Sequence, residues 1–209
     1  MFLAMIALIT IASCSKKSDD ISELKTVTRP TVSFPAGNFF SINVGGTLPT
    51  ISTTAYDSAL NEAYPAQVTG LDAIDNTTPG LYVVTATATN RYGFTGSSSV
   101  YVAVTDIPDA ADLSGDYFRA ATGTTTTVTK VSRGLYRSEN FGGSPSIDLT
   151  VYFAQITDST LSIPEQPTED GTSSGEDATV TYPYTDSTIL TYRVISPSFG
   201  TGSRTFVKQ

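Results

Sequence analysis

Histidine and tryptophan are absent from the 209 residues, and cysteine occurs once. Without histidine the chain lacks the commonest general base and metal ligand, and it cannot build a Ser-His-Asp triad. A single cysteine excludes an intrachain disulfide and a cysteine-rich zinc site. Cations are also few: 12 Lys and Arg stand against 20 Asp and Glu, for a net charge of −8. Phosphate recognition needs clustered Lys and Arg, so nucleic acid is not an expected partner. The acidity suits solubility at an exposed surface. No cofactor is expected. Helical periodicity is nearly missing beyond the N-terminus, whereas Thr, Val, Tyr and Ser dominate, which points to strands. The length and the 39% hydrophobic fraction allow two small domains, each with its own core.

Residues 1–13, MFLAMIALITIAS, form an apolar run too short to span a bilayer, which takes about 20 residues. The run fits the hydrophobic region of a secretory signal, although no Lys or Arg precedes it. It ends at the lone cysteine. Ile11-Ala12-Ser13-Cys14 resembles a bacterial lipobox. That resemblance implies cleavage before Cys14 and acylation of its sulfur and new amine, giving a membrane anchor worth ~0.8 kcal/mol per buried methylene. Residues 14–29 then read as the lipidated Cys and a polar, aperiodic tether. Lys16-Lys17-Ser18-Asp19-Asp20 resembles the charged export signal of Bacteroidetes surface lipoproteins, which implies an outer-membrane, surface-exposed protein, with a periplasm-facing one as the alternative.

Residues 30–106 carry short strand-like runs punctuated by Pro, Gly and Asn, as in a β-sandwich. After Pro79-Gly80, Tyr82, Val84, Ala86 and Ala88 alternate with Val83, Thr85, Thr87 and Thr89, and Val100, Val102 and Val104 repeat the period on a return strand. The pattern resembles bacterial immunoglobulin-like modules, whose last two strands are a Pro-Gly turn, an aromatic-and-valine strand, a polar turn and a valine strand. Residues 107–112 read as a linker. Residues 113–209 predict about eight strands, suiting an antiparallel up-and-down sheet or small open barrel. VYFAQI-TDST-LSI (151–163) and VTYPY-TDST-ILTY (180–192) echo each other as hairpins. Ser114-Gly115-Asp116-Tyr117 and Val131-Ser132-Arg133-Gly134-Leu135-Tyr136 resemble the C-terminal β-domains that follow immunoglobulin-like modules in Bacteroidetes surface lipoproteins of uncharacterised function. The expected fold is therefore all-β: an N-terminal immunoglobulin-like sandwich and a C-terminal β-domain.

Exposed aromatic rings stack on the apolar faces of sugars. The candidate ligand-contacting rings are Tyr92 and Phe94 at the sandwich tip, Tyr136 and Phe141 in the second domain, and Tyr182 and Tyr184 around Pro183. Glu165, Glu169, Asp170, Glu176 and Asp177 crowd a Gly- and Ser-rich stretch that reads as a solvated loop, without the spacing of a calcium-binding EF-hand. A glycosidase needs two carboxylates held rigidly in a cleft, and no such arrangement is evident, so no catalytic residue is assigned. The expectation is a non-catalytic, lipid-anchored surface protein that binds or displays polysaccharide. The alternative is a structural or adhesion subunit that binds another envelope protein.

Overall fold

The computed structural model describes residues 28–184 and 187–209, with the side chain of Tyr184 left aside. The signal, Cys14 and most of the tether lie outside the described residues. The protein is all-β. β1 (Thr31–Ser33), β3 (Thr54–Asp57) and β4 (Glu62–Ala63) form one antiparallel sheet in the order β1-β3-β4. β2 (Phe39–Ile42), β5 (Gln67–Thr69), β6 (Gly80–Thr89) and β7 (Thr95–Val104) form a second, in the order β2-β7-β6-β5, with β2 parallel to β7. Between the two sheets lie Val32, Phe34, Ala55, Val84, Ala86, Ala88, Val100 and Val102. This is the inward set of the period-two alternation. The reversal before β6 is made by Asp75 to Thr78 rather than by Pro79-Gly80: Asp75 Oδ1 accepts from the Thr77 N–H at 2.8 Å, and Gly80 is already the first residue of β6.

At the far end of the β6–β7 hairpin, Asn90 organises the turn. Its Oδ1 accepts the N–H groups of Tyr92 and Phe94, both at 3.0 Å. Its Nδ2 donates to the Thr28 carbonyl at 2.9 Å and to Asp57 Oδ2 at 2.8 Å. Asp57 is buried and also accepts from Thr28 Oγ1 and the N–H of Ala59. These donors, Thr28 foremost and Asn90 next, hold its carboxyl below the usual range.

β8 (Gly115–Arg119), β9 (Thr124–Ser132), β10 (Leu135–Glu139), β11 (Val151–Gln155), β12 (Leu161–Thr168), β13 (Gly171–Tyr184), β14 (Ser187–Ile195) and β15 (Ser203–Lys208) follow one another as an up-and-down meander. The meander closes: β15 pairs with β8 through Val207–Phe118 and Lys208–Tyr117, so the barrel is closed, not open. Closure removes the two unpaired edges that an open sheet would present. Both TDST echoes are hairpins, β11–β12 and β13–β14. The acidic stretch 165–177 is the β12–β13 hairpin and not a loop.

Eight strands enclose a space that side chains can just fill or that holds one small ligand. Here it is filled. Phe141 stacks on Tyr192 at 4.5 Å, Tyr192 on Phe206 at 5.2 Å and Tyr136 on Phe153 at 5.3 Å. The buried phenols end on carbonyls: Tyr192 Oη donates to Phe141 O at 3.0 Å and Tyr117 Oη to Leu113 O at 2.8 Å.

Sandwich and barrel share a third core. Leu81, Tyr101 and Ala103 on the outer face of the β6–β7 hairpin meet Leu135 and Ala154 on the outside of the barrel, with Phe39, Val83, Val131, Tyr152 and Ile156 around them. The linker, residues 107–112, leaves the sandwich at this junction, where its first residue, Ile107, is buried. Arg133 Nη1 donates to the carbonyls of Thr105 and Ile107 at 2.7 and 2.9 Å, and Thr105 Oγ1 donates to Gln155 O at 2.8 Å.

Candidate functional site

The structure separates the six candidate rings. Tyr136 and Phe141 are 0% exposed inside the barrel and are corrected to core residues, because Tyr136 faces inward on β10 and Phe141 folds from the β10–β11 connection onto Tyr192. Tyr92 is 49% exposed at the Asn90 turn, with the Arg91 guanidinium 5.1 Å from its ring centre. Phe94 is half-buried beside it. Tyr182 is 52% exposed on β13, where its hydroxyl accepts from Gln155 Nε2 at 3.3 Å. The Tyr184 side chain lies outside the description. Tyr92 and Tyr182 therefore sit at separate elements and do not build one surface.

A different aromatic group does. Phe39 on β2 is paired in register with Tyr101 on β7, and Tyr152 of β11 comes across the junction to meet both. Its ring centre is 4.1 Å from that of Tyr101 and 5.1 Å from that of Phe39. The three rings floor a groove of about 560 Å³ between sandwich and barrel, within the ~300–1,000 Å³ of small-molecule sites. Its walls are polar: Asn38 and Ser97 to Ser99 on the sandwich side, Thr168 and Glu169 on the barrel side.

Each wall is locally fixed. Asn38 Nδ2 donates to Ser99 O at 2.7 Å, and the Asn38 carbonyl accepts the Tyr101 N–H at 2.8 Å, so the residue is clamped to β7. Glu169 sits at the tip of the β12–β13 hairpin and accepts the Thr150 N–H at 3.3 Å. Tyr152 is held by an unusual device. Pro164 and Pro167 interrupt β12, the ladder with β13 slips between Ile163 and Gln166, and β11–β12 pairing is confined to Ala154–Ser162 and Gln155–Leu161. Where the ladder stops, the buried Gln166 amide replaces it: its Oε1 accepts the Tyr152 N–H at 2.8 Å and its Nε2 donates to the Tyr152 carbonyl at 2.8 Å.

Burial above all, then the Tyr152 ring and the Glu169 charge, pushes the Tyr101 phenol upward. Burial raises Tyr152 as well, against the opposing pull of Arg137. Both phenols are therefore neutral hydrogen-bonding groups at physiological pH. The groove thus offers aromatic surface, hydroxyls, an amide and one carboxylate, with Glu169 the sole acid of its lining. Among the described residues no group of three acidic or sulfur ligands is placed to hold a metal ion. Asp170, Glu176 and Asp177 are occupied otherwise: Asp170 accepts from Ser196 Oγ at 2.7 Å, while Glu176 and Asp177 face Arg193.

Sequence reasoning missed Phe39, Tyr101 and Tyr152. Tyr152 alternates with Val151 and Phe153 of the barrel core, so it stands on the outer face of β11, where it meets the sandwich rather than water. The available signal was in β7, where Tyr101 and Ala103 make the face opposite Val100, Val102 and Val104 apolar as well.

No family model matches the chain, and no curated protein matches it. Among solved structures the chain is similar to a lipoprotein from Bacteroides thetaiotaomicron, at 19% identity and a TM-score of 0.36, over 86% of this chain and 100% of that one.

Proposed function

We propose that the protein is a non-catalytic envelope lipoprotein, acylated at Cys14, that binds glycan in the groove between its sandwich and its barrel. The observation that carries the reading is the floor of three rings, Phe39, Tyr101 and Tyr152, edged by Asn38, Ser97 to Ser99, Thr168 and Glu169. A pyranose presents an apolar face to such rings and hydroxyls to such edges. A lone carboxylate suits hydrogen bonding to sugar hydroxyls, whereas glycoside hydrolysis ordinarily uses two. The lipobox-like Ile11-Ala12-Ser13-Cys14 supports the anchor and, with the charged residues after it, an outer-membrane, surface-exposed site of action.

The test is native affinity electrophoresis of the detergent-solubilised protein through gels containing plant, mucin and microbial polysaccharides. One polysaccharide should retard the protein, and Glu169→Gln and Ser98→Arg should each reduce the retardation while leaving the circular dichroism spectrum unchanged. A folded protein that no polysaccharide retards would replace this reading with that of an adhesion subunit for another envelope protein.

A further inference from the structure

The chain joins the sandwich at the end away from the barrel, and it does so at a fixed point. Thr28 is bonded to Asp57 and to Asn90 of the β6–β7 turn. Pro30 is buried against β7, where a Cβ on Gly96 would stand 1.8 Å from the Pro30 carbonyl oxygen. Only glycine at 96 allows the two backbones so close. The segment that links Cys14 to the folded body is therefore attached at this tip. A polar coil of the length of residues 15–27 reaches about 20 Å.

The side chains shown at this tip are of two kinds. Arg29, Arg91 and Tyr92 are exposed, with the Arg91 guanidinium over the Tyr92 ring. Tyr56 is exposed on the flank, opposite Thr31 in the β1–β3 ladder. The acids of the same loops are withdrawn. Asp57 is buried beneath Thr28 and Asn90, and Glu62 is taken by Arg91 Nη1 at 2.7 Å and by the Tyr64 hydroxyl. A chain of net charge −8 thus turns guanidinium groups and phenol rings, rather than free carboxylates, toward the side from which it is tethered. Guanidinium groups match phosphate oxygens, and a negative membrane surface attracts them. Tyrosine rings settle at headgroup level, with the ring in apolar surroundings and the hydroxyl in water.

We propose that the sandwich tip docks on the phosphate headgroup layer of the membrane that holds Cys14. Tyr92 enters at headgroup level, and Arg29 and Arg91 lie against lipid phosphates. The inference rests on acylation at Cys14 and is independent of what the interdomain groove binds. Docking leaves that groove at the other end of the β6–β7 hairpin from the bilayer.

The experiment places the acylated chain in vesicles of phosphatidylethanolamine and phosphatidylglycerol whose acyl chains are brominated close to the headgroup. The chain has no tryptophan, so Tyr92→Trp at the tip and Tyr182→Trp on the barrel each supply a single emitter, at positions that are both exposed. Bromine quenches on contact. The Tyr92→Trp emission should be quenched severalfold more than the Tyr182→Trp emission and should shift to the blue. Arg29→Glu, at an exposed position, should remove most of that difference. Equal quenching at the two positions, or a difference that Arg29→Glu leaves intact, overturns the proposal. Emission that follows protein density instead of bromine means that a second copy covers the tip, and overturns it too. A parallel sample joins the unacylated mature chain through the Cys14 thiol, the single one in the sequence, to a maleimide phospholipid. The same contrast there, with no fatty acid on the cellular protein, refutes acylation but not the affinity of the tip for lipid. Acylation without the contrast refutes the docking alone.

Discussion

Leu135 tests whether sandwich and barrel behave as one body. It lies on β10, between the barrel-facing Tyr136 and the sandwich, and is fully buried by the junction and not by the barrel core. Leu135→Ala removes three carbons, a transfer loss of about 2.4 kcal/mol at roughly 0.8 kcal/mol per methylene. The cavity left between two pre-formed sheets adds to this, so the total falls at about 2–5 kcal/mol. At about 2–4 °C per kcal/mol for a chain of this size, the melting temperature drops by about 4–20 °C. Differential scanning calorimetry reads both size and shape. The parent should melt in a single transition, because opening the junction exposes Leu81, Tyr101 and Ala103 on one side and Leu135 and Ala154 on the other. In Leu135→Ala the sandwich and barrel should begin to melt separately. A loss below about 1 kcal/mol with the transition unchanged would mean that the junction is not formed in solution, since a fully buried leucine cannot be so cheap to truncate.

Three further outcomes are expected. Gln166→Leu keeps the volume but leaves the Tyr152 N–H and C=O without their partners, so stability in urea unfolding should fall by about 1–3 kcal/mol, and Gln166→Glu should fall at least as far, because it buries a carboxylate against the Tyr152 and Pro164 carbonyls. The Asp57 carboxyl titrates below its unfolded value of about 3.9. Its contribution is therefore complete above that pH and lost as pH falls through the folded value, so the stability gap between the parent and Asp57→Ala, followed by urea unfolding, should be widest near neutrality and close in acid. Cys14→Ser should move the protein from the membrane fraction to the soluble fraction and abolish labelling by radioactive fatty acid, and retention of either would refute acylation at Cys14.

Local periodicity made much of this fold legible. Val84, Ala86 and Ala88 were sorted correctly to one face, as were Val100 and Val102, because alternation reports which side of a strand is apolar. The paired TDST segments announced two hairpins for the same reason, since turn residues act locally. Barrel closure was not legible. It rests on the meeting of Tyr117–Phe118 with Val207–Lys208, some ninety residues apart in sequence, and neither segment names its partner. The acidic stretch was misread because its Gly, Ser and Glu content suits a solvated loop, yet its backbone continues the ladder of β12 and β13. Tyr136 and Phe141 were candidate ligand-contacting rings because an aromatic's residue type does not tell which face of a strand or turn it occupies, and both fill the barrel. The groove depends on how two domains dock, and that information is shared between Phe39, Tyr101 and Tyr152 on three distant strands.

The Asn90 turn has a mechanical consequence. β6 starts at Gly80, next to the barrel, where the Leu81 N–H donates to Ser162 Oγ at 3.1 Å, and runs ten residues to Thr89. At about 3.3 Å per residue, this sets the chain's entry at Thr28 about 30 Å from the barrel. A pull on the chain ahead of Thr28 first meets the bonds from Thr28 to Asp57 and from Asn90 to Thr28. Tension between that entry and an object held at the junction is carried by the chain into β1 and on to β2. Ladder bonds run across the strands, so such tension loads the β1–β3 and β2–β7 ladders in shear rather than peeling them one pair at a time. The sandwich is built as a strut that bears load end to end.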